Sequence, residues 1–276
     1  MALKDITTLV DLRGPKHAMN VAIDLAGKTE AHVTGLALAY NPVMPGYLIA
    51  PMPADYLEQA RKQSEDDAKA ALKDYETAAE RNGVKYESRV VQMAGGGAAD
   101  PFIAQCRLSD LIVMGQYDAE RGDAIGEVLI EAALFDSGVP VMIVPYAGKP
   151  KFSADHVMIA WDGSATAVHA IRSSLALLQL AGKITVVMVD RGQRRDGEPG
   201  AEVATYLARH GFNVNLETVA SPDTSVSDAL LNFVSDNGVD MVVMGGYGHS
   251  RMREFVLGGA TYGMLQSMTV PVVMAH

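Results

Sequence analysis

Apolar positions along this chain switch repeatedly between the period of a strand and the period of a helix. Ile6 to Leu12 reads as a first strand, and Ala18 to Ala26 carries apolar residues at helical spacing (Val21, Ala22, Leu25) before Gly27. His32 to Tyr40, rich in Val, Leu and Ala, predicts a second strand. Asn41 to Pro53 is punctuated by Pro42, Pro45, Pro51 and Pro53 and predicts a surface loop. From Ala54 to Asn82 a stripe of Ala68, Ala71, Leu72, Tyr75, Ala78 and Ala79 lies opposite a side filled with Lys, Glu and Asp, which predicts a long amphipathic helix capped by Asn82-Gly83. Val84, Tyr86, Ser88 and Val90 then alternate as a strand. Gly95-Gly96-Gly97 links it to a helix over Pro101 to Leu108, and Leu111 to Met114 and Val139 to Val144 are short apolar runs of buried-strand length.

Around Gly148-Lys-Pro-Lys-Phe-Ser153 the composition turns to linker, and the pattern starts again. Arg81-Asn-Gly83 is echoed by Arg209-His-Gly211, Asp110-Leu-Ile-Val-Met-Gly115 by Asp240-Met-Val-Val-Met-Gly245, and Val139-Pro-Val141 by Val270-Pro-Val272, in the same order and at nearly constant offset. Such spacing predicts a duplicated domain, residues 1–147 and 152–276. Each copy alternates strand and helix in the order β-α-β-α-β-α-β-α-β. This is the signature of an α/β fold with an open parallel sheet and helices on both faces. In such sheets ligands bind beyond the carboxyl ends of the strands, where the strand order reverses. Two loops of the second copy belong there. One is Trp161-Asp162-Gly163-Ser164, after the strand His156 to Trp161, and the other is the glycine-rich loop after Met241 to Met244.

Composition narrows the partners. The 276 residues carry a formal charge of −10 and a pI near 5.1. An acidic surface disfavours nonspecific binding to nucleic acid or anionic lipid, so an anionic ligand has to be held locally. One cysteine, Cys106, rules out an internal disulfide framework and any multi-cysteine metal site. The N-terminus lacks the apolar core of a secretory signal, and no apolar run approaches the ~20 residues that span a bilayer. The expectation is a soluble, cytoplasmic protein.

The chemistry concentrates in the second copy. Gly245, Gly246 and Gly248 cluster after an apolar strand, and Gly258-Gly259 opens the next helical pattern. Glycines there let backbone N–H groups approach a ligand at a helix N-terminus, which favours an anion such as phosphate. A single turn needs fewer glycines than this. Asp162-Gly163-Ser164 has a structural reading, with Ser164 as helix cap and Gly163 in the turn, and a functional one, with Asp162 accepting from a ribose or a base amine. Arg251, Arg253 and His249 lie near the glycine loop, and solvent exposure is their ordinary reading. No Walker loop, no Gly-x-Gly-x-x-Gly after a first strand, no nucleophile elbow and no i,i+4 histidine pair is present. Cys106 sits among apolar helix positions, as a buried inert thiol does.

Gly245-x-x-Gly248, nine residues, then Gly258 resembles the ATP-binding motif of the universal stress protein family, in which Gly-x-x-Gly-x9-Gly is followed by Ser or Thr. Asp162-Gly163-Ser164 is similar to that family's first-strand turn, Asp240 to Gly245 to its Asp-x-x-x-Met-Gly strand, and Val270-Pro271-Val272 to its closing strand. The duplication resembles a tandem member. The resemblance implies a five-stranded parallel sheet per domain, of the adenine-nucleotide alpha-hydrolase-like type, binding ATP, alone or with Mg, in a stress-response role. It implies that Asp162 and Val189 face the adenosine and that Gly245, Gly248 and Gly258 hold the phosphates. Gly259 stands where the family has Ser or Thr, and Thr261 is the substitute hydroxyl. In the first copy Asp11-Leu-Arg-Gly14 replaces Asp-Gly-Ser, and Asp118 stands where the second phosphate glycine belongs, so that copy is expected not to bind ATP. Its expected task is to pair with the second copy through the closing strands, and homodimerisation of whole chains stays open. Two alternatives are a slow ATPase or phosphotransfer enzyme at the same site and a scaffold that binds no nucleotide.

Overall fold

The computed structural model describes residues 2–12, 14–41, 54–93, 99–117, 124–148, 150–192, 200–221, 223–247 and 259–276. The proline loop after Asn41 and the triple glycine at 95–97 lie outside them.

The chain forms two compact units. Leu3–Val139 makes up most of one, and Pro140–Gly148 with Phe152–His276 most of the other. In the first unit, β1 (Asp5–Leu9), β2 (His32–Tyr40), β3 (Lys85–Met93) and β4 (Leu111–Gly115) form parallel pairs in the order β3-β2-β1-β4. They alternate with α1 (His17–Thr29), α2 (Ala54–Arg81) and α3 (Asp100–Cys106), and α4 (Ala124–Asp136) follows β4. The stripe read from the sequence is the buried face of α2, with Ala68, Tyr75 and Ala79 fully enclosed. The Tyr75 hydroxyl donates to the Val33 carbonyl at 2.7 Å, and its ring lies where a side chain on Gly35 would stand, so β2 carries glycine at that point.

The second unit repeats the scheme with β6 (His156–Ala160), α5 (Ala165–Leu178), β7 (Lys183–Asp190), α6 (Ala201–Arg209), β8 (Val214–Ala220), α7 (Val226–Asn237), β9 (Met241–Gly245), α8 (Gly259–Ser267) and β10 (Val272–Ala275). Five parallel strands run β10-β9-β6-β7-β8, and β5 (Val141–Val144) adds an antiparallel edge, with Val272 opposite Ile143 and Met274 opposite Val141. The strand that closes the first copy in sequence therefore lies in the second compact unit. Its four residues are buried, as expected for a strand covered on both faces.

The repeated aspartates at the strand starts have a structural explanation. Asp110 Oδ2 accepts from the amides of Lys4 at 2.7 Å and Asp5 at 3.0 Å, and Asp240 Oδ2 accepts from the amide of His156 at 3.0 Å. Each carboxylate fastens the amino end of its copy's first strand beside the fourth. Beyond Asp240 the His156 ring is buried, bridged from Nδ1 to the Asn237 carbonyl at 3.1 Å and from Nε2 to the Thr185 hydroxyl at 2.9 Å. A carbonyl only accepts, so Nδ1 is the donor to Asn237. Among the described residues no helix is long and apolar enough to cross a membrane.

Candidate functional site

The strand order of the second unit reverses between β6 and β9, because β7 follows on one side of β6 and β9 returns on the other. The loops leaving the carboxyl ends of those two strands therefore diverge and leave a crevice, the usual ligand position of an open α/β sheet.

On the β6 side, Trp161 stays tied to the sheet through its amide, which donates to the Val187 carbonyl at 2.9 Å. The chain then turns at Gly163, whose φ of +82° favours glycine. Asp162 is exposed, and its Oδ1 accepts from the Ser164 amide at 2.9 Å. That bond fixes the carboxylate at the strand end and leaves Oδ2 without a partner among the described residues. Ser164 caps α5, its hydroxyl accepting from the Ala167 amide at 3.1 Å. Val189, half-buried, and exposed Asp190 end the neighbouring strand β7, where Asp190 Oδ1 accepts from the Gly192 amide at 2.8 Å.

On the β9 side, a Cβ on Gly245 would stand 2.6 Å from Thr166 Oγ1 and 2.7 Å from the Ala167 amide nitrogen. This glycine lets the first turn of α5 approach the end of β9, a packing role separate from contact with a ligand. The Gly246 amide donates to the Ala275 carbonyl at 2.9 Å, and the Tyr247 amide to Thr261 Oγ1 at 3.1 Å. Tyr247 is buried with φ of +50°, so the Thr261 hydroxyl holds a residue in a left-handed conformation that few side chains adopt. Thr261 is itself buried. Both amides are thus used internally, and any cradle of free amides has to begin after Tyr247. Gly248 and Gly258 lie outside the described residues. Gly259 begins α8, and among the described residues nothing lies within 4 Å of a Cβ added to it.

Sequence reasoning named Asp162, Val189 and Gly245, and the fold gathers them at the carboxyl ends of the adjacent strands β6, β7 and β9. It missed the role of Thr166, since nothing local in the sequence marks which helix turn will meet a strand end.

The sequence model of one family, described as the universal stress protein family, matches residues 154–276. The second copy, residues 154–276, is thus similar to the universal stress protein family. A universal stress protein of Synechocystis sp. is 26% identical over 170 residues, covering 59% of this chain and 57% of that one. The chain thus spans less than two thirds of that relative. A universal stress protein from Archaeoglobus fulgidus has a similar fold, with a TM-score of 0.72 at 19% identity over 98% of this chain and 95% of its own. A functionally unknown protein from Pseudomonas aeruginosa follows at a TM-score of 0.61 and 12% identity, over 99% and 92%. Both likenesses extend over nearly the whole chain, so they include the first copy, which the family match leaves out.

The first copy differs at the corresponding strand ends. Asp11 Oδ2 stands 3.2 Å from where a Cβ of Gly115 would be, so a carboxylate takes the place that the first turn of α5 has beside Gly245. No side-chain bond caps α1 at Lys16, in contrast to Ser164 at α5. Asp118 and Arg13 lie outside the described residues.

Proposed function

We propose that the second copy binds an adenine nucleotide, ATP, across the carboxyl ends of β6, β7 and β9, and that occupancy alters the protein's interactions in a stress response. The observation that carries the reading is Asp162 at the switch point, fixed by the Ser164 amide through Oδ1 and exposed with Oδ2 unpaired among the described residues. Such an acceptor suits a ribose hydroxyl. Gly245-x-x-Gly248-x9-Gly258 supports phosphate binding on the other side of the crevice, by the chemistry of glycine amides at a helix start. Among the described residues nothing crowds Gly259, which supports a phosphate close to the first turn of α8. The chain's own part in this reading is to bind and orient; Mg, when bound with ATP, would neutralise phosphate charge.

The first copy is proposed not to bind nucleotide, because Asp118 stands where the second phosphate glycine belongs and a fixed carboxylate there opposes a polyphosphate. A scaffold without nucleotide is the second reading, favoured by one observation: the Gly246 and Tyr247 amides and the Thr261 hydroxyl already serve the fold.

Calorimetric titration of AMP and ATP into the chain and into Asp162→Ala and Asp162→Asn tests the nucleoside half. Removing the carboxylate is expected to weaken both nucleotides by a similar factor, about tenfold, since the phosphates are untouched. Asn keeps the turn acceptor and separates folding from binding. Unchanged affinity in Asp162→Ala would refute the assignment.

A further inference from the structure

Helix α4 of the first unit is apolar on more than the side that meets its own unit. Leu129, Ile130 and Ala133 are buried and form the inward face that a surface helix needs. The outward face of such a helix is ordinarily polar. Here Ile125, Val128, Ala132 and Phe135 follow one another at the three- and four-residue spacing of a single helical stripe. Ile125 is 46% and Val128 44% exposed, and Ala132 and Phe135 are half-buried. In α8, the corresponding helix of the second copy, Tyr262 is the one exposed large apolar side chain, beside exposed Gly259 and Ser267. The outer apolar stripe therefore belongs to the first copy, and contiguous apolar surface of this kind marks an interaction site.

One flank of the stripe is acidic. Glu131 comes three residues after Val128 and four before Phe135, so on a helix it borders both, and Glu127 precedes it by one turn. Both glutamates are half-buried. Burial and, after it, the charge of Glu127 push the Glu131 carboxyl above its ordinary value. A cation laid beside the pair relieves that repulsion. Helix α4 contains no Lys or Arg, so two copies of it packed together bring further carboxylates and no cation. The chain as a whole, at a formal charge of −10, also attracts basic partners over acidic ones. The complement of this face is a helix with its own apolar stripe and with Lys or Arg along one side, set against Glu127 and Glu131.

We infer that the outer face of α4 is a docking surface for a basic amphipathic helix of a protein partner, independent of the proposed nucleotide site. The probe is a fluorescein-labelled synthetic peptide of about 14 residues, with Leu at i, i+3, i+4 and i+7 and Lys elsewhere, which matches the length of the 13-residue α4. Its anisotropy is followed as the full chain is added. One control peptide has Glu in place of Lys, and another has Ser in place of Leu. The titrations are repeated with Ile125→Ser/Val128→Ser, which removes the stripe at constant charge, and with Glu127→Gln/Glu131→Gln, which removes the charge and keeps the stripe. These side chains are exposed or half-buried on the outer face, so the variants should keep the fold, which thermal melting verifies. The expected result is saturable binding of the Leu/Lys peptide at one per chain, about tenfold weaker in each double variant, with no saturation by either control. Absence of saturable binding by the Leu/Lys peptide overturns the proposal. So does binding that Ile125→Ser/Val128→Ser leaves intact, which would be attraction to the acidic surface at large. A dimer of the full chain that Ile125→Ser/Val128→Ser dissociates in sedimentation would assign the face to a second copy, and would overturn it as well.

Discussion

Gly245 and Thr166 are in contact across the crevice of the second unit: a Cβ on the glycine would lie 2.6 Å from Thr166 Oγ1 and 2.9 Å from the Thr166 carbonyl carbon. The obstacle includes backbone, which cannot rotate away as a side chain can. Gly245→Ala should therefore destabilise the protein by about 1–3 kcal/mol, measurable in denaturant unfolding. A loss of nucleotide binding in this variant would say little about phosphate contact, because the first turn of α5 shifts with it.

Gly259 is the cleaner position. Among the described residues nothing lies within 4 Å of an added Cβ, and Ser at this place restores the residue type of the family's motif. Gly259→Ser should leave the melting temperature nearly unchanged and tighten ATP by about 0.5–1.5 kcal/mol, the worth of one neutral hydrogen bond. Calorimetry would show this as a roughly two- to twelvefold lower dissociation constant. Equal affinity would place the phosphates elsewhere.

Thr261 matters chiefly to the fold. Its Oγ1 accepts from the buried Tyr247 amide at 3.1 Å, so Thr261→Val, similar in shape, removes that acceptor. The expected cost is about 1–3 kcal/mol of stability, whereas Thr261→Ser keeps the bond and most of the stability. Urea unfolding of the two variants distinguishes them.

Cys106 is fully buried on α3, and burial pushes its thiol up to about 12. The raised value means that the reactive thiolate is negligible at neutral pH and appears only as pH rises towards 12. A thiol reagent at pH 8 should modify the native chain only as fast as the first unit opens, and at once in denaturant. Rapid modification of the native chain would contradict the burial.

The elements that could be read from sequence were those whose cause is local. His32–Tyr40 was legible as a strand to the residue, and α2 within one residue of its end, because side-chain period and the Asn82-Gly83 stop are encoded next to one another. The duplication was legible through Asp110 and Asp240, but their role was not, since the amides they accept from belong to strands far away in sequence. Ile6 to Leu12 was read too long: β1 ends at Leu9, although the Val10 amide still donates to Leu36. At the site, the Ser164 cap and the turn at Gly163 followed from residue type. The packing role of Gly245 and the internal use of Thr261 depend on where α5 and α8 come to rest, and no local pattern carries that information.

The central expectation is one nucleotide site per chain, in the second copy. Calorimetric titration of ATP into the full chain and into Gly248→Asp tests it most directly. The wild type should saturate at one ATP per chain, and the variant, with a carboxylate introduced into the glycine loop, should show no binding. No heat at millimolar ATP, or two nucleotides per chain, would contradict it.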